Sequence, residues 1–172
     1  MPPANFIEDF ERTEHFDFLH AVIGRSLIVA TRFDSMCTSL SIALEIKQGY
    51  IETIITDKCF DVLVNKTITK YRTLDTSIKS FKLPNEMSTI LHDARKARNE
   101  IAHSLTKELE GCIDTNVNED DFIYEVSRLV KTITDGDIVI SSLMSVFNRD
   151  PILNESSLNK YSSHVLSWVV EK

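Results

Sequence analysis

Between Thr13 and Gln48 an apolar side chain returns at almost every third or fourth position, and this run constrains the fold more than any other feature. Phe16, Leu19, Ile23, Leu27, Ala30, Phe33, Cys37, Leu40 and Leu44 fall on one side of a helix with 3.6 residues per turn. A stripe that long must be covered by several other elements. Gly24 and Thr38-Ser39 are the places where so long a helix can bend, and Gly49 reads as its stop signal.

The rest of the chain repeats the pattern. Only four Gly and four Pro occur in 172 residues, which disfavours turn-rich sandwiches and barrels. Residues 50–80 contain β-branched runs that lower helix propensity, such as Ile-Glu-Thr-Ile-Ile-Thr. Yet Ile51, Ile54, Ile55, Phe60, Leu63, Val64, Ile68 and Tyr71 keep helical spacing, so the segment reads as helix, with Asp57 able to cap its second part. A third helix is expected over about 86–110, with Met87, Ile90, Leu91, Ala94, Ala97, Ile101, Leu105 and Leu109 inward and Gly111 closing it. A polar loop follows over 112–120. A fourth helix opens at Asn118 or Glu119 and carries Phe122, Val126, Leu129, Val130, Ile133, Ile138, Ile140, Leu143, Met144 and Phe147. Asp135-Gly136-Asp137 is its expected break or bend. A last helix spans about 155–171, with Leu158, Tyr161, Val165, Leu166, Trp168 and Val169 apolar. The predicted fold is all-α: an antiparallel four-helix bundle with an additional C-terminal helix. It is read as one domain over 1–172, with a core at about 15–150 and residues 1–13 as a tail or short cap.

Charge and cysteine content narrow the function. The formal net charge is −7, so the surface as a whole does not attract nucleic acid. Residues 95–107 are a local exception, with Arg95, Lys96, Arg98 and Lys107 against Glu100 within the basic run. Cys37, Cys59 and Cys112 are widely spaced and read as buried or half-buried thiols in a reducing compartment. No Cys/His cluster has zinc spacing; His15 and His20 form a His-x4-His without an evident third ligand, so neither metal nor cofactor is expected. The N-terminus lacks the pattern of a signal peptide, and no apolar run is expected to reach membrane-spanning length. A cytoplasmic protein without membrane contact is expected.

Residues 95–104 read Arg-Lys-Ala-Arg-Asn-Glu-Ile-Ala-His-Ser, and within them Arg98, Asn99 and His103 spell Arg-Asn-x-x-x-His on a helix. Arginine keeps its charge at any working pH and suits phosphate. Histidine titrates near neutrality and can move a proton. Together with the 2′-OH of RNA these groups suffice for a metal-independent ribonuclease. Each also has a plainer reading: Arg98 in a helix-surface ion pair, His103 as a cation near a helix end, and Arg95 as a solvated charge. His164 reads as structural, the acidic run at 118–121 as a helix start, and Trp168 as packing.

The segment resembles the signature of HEPN domains (higher eukaryote and prokaryote nucleotide-binding), which is Arg, four to six residues, then His, often with Asn after the Arg. The close match covers about ten residues, and the helical layout extends it loosely over about 15–150. The resemblance implies a homodimeric, metal-independent endoribonuclease with two motifs facing each other in one cleft. His103 would act in acid/base catalysis. Arg98 would hold the scissile phosphate. Asn99 would orient His103 or bind phosphate, and Arg95 and Lys96 would bind or steer RNA. Products would carry 2′,3′-cyclic phosphate and 5′-hydroxyl ends. Many similar proteins are toxins or antiviral-defence effectors with an antitoxin or other partner protein. One toxin branch has Tyr two residues after the His, where a partner enzyme modifies it; Leu105 stands there in this chain, which speaks against that mode of silencing. The rival expectation is a non-catalytic helical dimerisation or interaction module that regulates a partner. A third is a nucleotide-binding regulator that uses the same basic face.

Overall fold

The computed structural model describes residues 14–52, 57–71, 73–105, 117–151 and 153–171. All their regular structure is α-helical: α1 Glu14–Glu52, α2 Asp57–Lys70, α3 Leu74–Ser80, α4 Asn85–His103, α5 Glu119–Asn148 and α6 Glu155–Val170. The central helix is α5. It packs most extensively against α4, then α1, then α6, while α3 wedges between α1 and α4.

The helix starts follow from short polar side chains. The Asn118 side chain accepts hydrogen bonds from the amides of Asp120 and Asp121, and Asn154 accepts one from Ser157. Thr73, in extended conformation, accepts one from Thr76 and opens α3. That cap explains why 57–80 is two helices instead of the continuous one expected. Tyr71 turns into the core at 6% exposure, its hydroxyl donating to Glu45.

Four further expectations are corrected. The first helix runs past Gly49 to Glu52. Its inward face includes Val22, Ser26 and Val29, whereas Leu27 (37%) and Leu44 (39%) stay partly exposed. Ser26 is tolerated inside because its hydroxyl donates to Val22 O at 2.7 Å. The third helix stops at His103, with Glu100 O accepting from the amides of Ser104 and Leu105, instead of continuing to 110. Leu109, Gly111 and Lys107 lie outside the described residues, as do Cys112, the tail 1–13 and the side chains of His15, Ile51, Asp57 and Cys59. Met87 (43%) and Ile90 (38%) are also more exposed than their stripe predicted, because they precede the overlap of α4 with the core.

Gly136 does not break α5. A Cβ there would lie 2.5 Å from Ala94 Cβ and 2.9 Å from Phe33 Cε2, so the missing side chain lets α5 close on α4 and α1. The core that results joins Leu19, Phe33, Leu40, Leu91, Ile101, Leu129, Ile133 and Ile140, all almost fully buried.

Charged residues of α1 lie on different sides of this core. Arg25 donates to Val169 O and Glu171 O at the end of α6. Arg32 reaches Asp137 of α5 at 3.2 Å, and Asp34 reaches Arg98 of α4 at 2.6 Å. By length and composition alone, Phe16–Gln48 is long and apolar enough to cross a membrane, which corrects the expectation that no run approaches that length. Arg25, Arg32, Asp34 and Glu45 within it are engaged by neighbouring helices.

Candidate functional site: the α1–α3–α4 face

Helix α4 presents two adjoining surfaces. At 100° per residue, Lys96, Asn99 and His103 follow one another at i, i+3 and i+7 on the outward side. All three are exposed. Arg95 and Arg98 point to the groove that α4 forms with α1 and α3, where their side chains are 30% and 26% exposed. The signature is therefore split. Arg98 and His103 are about 140° apart around the helix and about 7.5 Å apart along it.

The groove holds a cavity of about 280 Å³ whose polar walls are Asp34, Thr73, Asp75, Arg95, Arg98 and Asn99. His103 is not part of its lining. Arg98 Nη2 donates to Asp34 Oδ2 at 2.6 Å, and Arg98 Nη1 donates to Asn99 Oδ1 at 3.2 Å. The amide partner of Asn99 is thus the arginine beside it. Arg95 Nε lies 3.6 Å from Asp75 Oδ1, too far for a good hydrogen bond, and this buried N–H has no hydrogen-bond partner among the described residues. Asp75 is shared: Lys79 reaches it at 2.6 Å and His92 at 4.0 Å. The hydrogen bond from Lys79, with the charges of Lys79, Arg95 and His92, holds the Asp75 carboxyl below the usual carboxylate range.

Chemically, this is a cavity with two guanidinium groups and two carboxylates. Asp34 and Asp75 were not singled out in the sequence, because acids on α1 and α3 carry no motif linking them to α4. Asp34 follows Arg32 by two residues, which on a helix sends the two charges to nearly opposite sides. A guanidinium has five N–H donors, so Asp34 and Asn99 together occupy only part of Arg98. The remaining donors can still meet an oxyanion.

The other candidates are dispersed. Lys96 is 71% exposed and pairs with Asp93 at 2.8 Å, one turn earlier on α4. His20 and His164 are exposed on α1 and α6, far apart in sequence, and no group of three or more His, Cys, Asp or Glu suited to a metal occurs among the described residues. Cys37 is fully buried, and burial, with Asp34 and Asp137 nearby, pushes its thiol up. Trp168 is 45% exposed near the end of α6.

Sequence reasoning also missed a buried polar cluster. Asp137, expected at a helix break, is 2% exposed in the middle of α5. It accepts hydrogen bonds from Arg32 Nε and the Tyr161 hydroxyl, while its Oδ1 has no partner among the described residues. Burial and the Asp137 carboxylate push the Tyr161 hydroxyl up to about 12. No family model, curated protein or solved structure matches this chain, so its residues and geometry carry the functional argument.

Proposed function

We propose that this protein is a metal-independent endoribonuclease of HEPN type that works as a homodimer. The reading takes α1, α2, α4 and α5 as the four-helix bundle and α6 as the additional C-terminal helix. One observation carries it: Asn99 and Arg98 line one cavity, Arg98 there has more donors than its two partners among the described residues occupy, and exposed His103 follows Asn99 one helical turn later.

In a single chain His103 and the Arg98 donors are turned apart, so the site is completed by a second copy apposed on the α4 face. The RNA 2′-OH attacks the neighbouring phosphorus while one His103 accepts its proton. Arg98 stabilises the charge that develops on the non-bridging oxygens. The 5′-oxygen leaves with a proton from the second His103, giving 2′,3′-cyclic phosphate and 5′-hydroxyl ends. Asn99 holds the Arg98 guanidinium, and Arg95 and Lys96 steer the RNA backbone. As a toxin or antiviral-defence effector in the cytoplasm, the protein would be restrained by an antitoxin or other partner until triggered.

The test is cleavage of mixed RNA in EDTA by wild type and His103→Ala, with end-group analysis. The expected result is 5′-hydroxyl products from wild type and a loss of about 10²–10⁴-fold in the variant. Equal cleavage by both proteins removes His103 from the mechanism.

The Arg98–Asp34 ion pair favours a second reading, a non-catalytic dimerisation or interaction module, because the pair by itself fastens α4 to α1. A folded wild type that dimerises through α4 yet cleaves no RNA, with or without cellular extract, supports that reading.

A further inference from the structure

A second, larger cavity opens on the other side of α3, between α1 and α2. Its volume is about 710 Å³, against about 280 Å³ for the Arg98 cavity. Lys70, Lys79 and Lys82 line it against one carboxylate, Glu45. In a chain of net charge −7, this cavity has the opposite sign.

The one acid is already engaged. Burial pushes the Glu45 carboxyl up, but hydrogen bonds from Lys70 and Tyr71 and the charges of Lys70 and Lys66 outweigh that and hold it below the usual carboxylate range. Lys79 is tied to Asp75 outside the cavity lining. Lys82 has no acidic partner among the described residues. Its backbone is left-handed, with φ at 50°, a conformation that lysine rarely adopts and that places it directly after α3. Thr76 and Ser80 also line it, their hydroxyls bonded to Thr73 Oγ1 and to Ser77 O, and Leu44 and Leu63 give it an apolar wall. Ammonium groups beside an apolar wall match a small ligand with a phosphate at one end and a carbon skeleton at the other.

We propose that the α1–α2–α3 cavity is a binding site for a phosphate-bearing small molecule, with Lys79 and Lys82 taking the phosphate. The site is separate from the Arg98 groove and does not depend on RNA cleavage. The two share α3, and a phosphate that draws Lys79 away leaves Asp75 to Arg95 and His92.

The experiment is calorimetric titration of the full chain with phenyl phosphate and with inorganic phosphate, at low and at raised salt. The expected result is saturable binding of one equivalent per chain that weakens with salt. Lys82→Asn keeps a residue that accepts a left-handed backbone and removes the charge, and it should weaken binding about tenfold. Lys79→Gln should do the same, Lys82→Arg should retain binding, and Arg98→Ala should leave it unchanged. Tighter binding of phenyl phosphate than of inorganic phosphate supports the apolar wall. Absence of saturable binding by a folded wild type, binding indifferent to both lysine replacements, or loss of binding in Arg98→Ala overturns the proposal.

Discussion

Helix α1 sends an arginine to one side and an aspartate to the other, two residues apart, and the two ion pairs they form divide their burial differently. Arg32, itself 53% exposed, meets Asp137, whose side chain is 3% exposed and also accepts from the Tyr161 hydroxyl. Asp34 meets Arg98 in an open cavity where both side chains keep more than a quarter of their surface. A buried carboxylate is held by the hydrogen bonds it accepts, whereas a pair in which both partners reach solvent can be exchanged for water or a ligand anion at small cost. The first cluster therefore docks α6 on α1 and α5. The second can take part in chemistry.

Removing the buried acid should have the largest effect on stability. Asp137→Ala removes two hydrogen bonds to a charged acceptor, from Arg32 and from Tyr161, and a loss of about 3 kcal/mol is expected in urea unfolding. A loss under about 1 kcal/mol would erase the contrast between the two pairs. Gly136→Ala should come next, at about 2 kcal/mol, because the new methyl meets Ala94 Cβ, which cannot rotate away. A more stable Gly136→Ala would mean that α4 and α5 part easily.

Tyr161 separates the regions by pH. Its hydroxyl is pushed up to about 12 in the folded chain from an ordinary value near 10. The folded state therefore holds that proton more tightly. The associated stability is complete below about pH 10 and declines as pH rises toward about 12. Unfolding midpoints followed with tyrosinate absorbance should show this decline, and Tyr161→Phe, itself costing about 1 kcal/mol, should flatten it. Asp75 belongs to the acid side. Its lowered value makes its contribution present above about pH 4 and lost as pH falls further.

The smallest stability change is expected at the open pair: about 0.5–1 kcal/mol for Asp34→Asn. Under the proposed ribonuclease reading, its effect on RNA cleavage is the sharper readout. If Asp34 aims Arg98, cleavage falls; if Asp34 only neutralises it, cleavage rises.

Much of the fold was legible in periodicity. Helices starting at Glu14, Asn85, Glu119 and Glu155 were readable because apolar spacing and the caps Asn118 and Asn154 are local. The break at Thr73 was not, since Thr reads as weak helix until Tyr71 is seen turned inward. The end of α4 at His103 was misplaced for the same reason: Leu105 and Leu109 continue the stripe, but the amides of Ser104 and Leu105 close on Glu100 O. In the candidate site, Arg95, Arg98 and Asn99 were named and are together in one cavity, while His103 is on the neighbouring face and Lys96 pairs with Asp93.

By itself the sequence determined an all-helical chain, the long apolar stripe of α1 and a basic segment on α4, because these depend on residue order and a fixed helical period. Only the tertiary structure decided that Asp34 meets Arg98, that Asp137 is buried with Tyr161, and that Gly136 marks a close approach instead of a break. Each of those depends on groups from different helices meeting in space, and a pairing across 64 residues, as between Asp34 and Arg98, leaves no periodic trace in the chain.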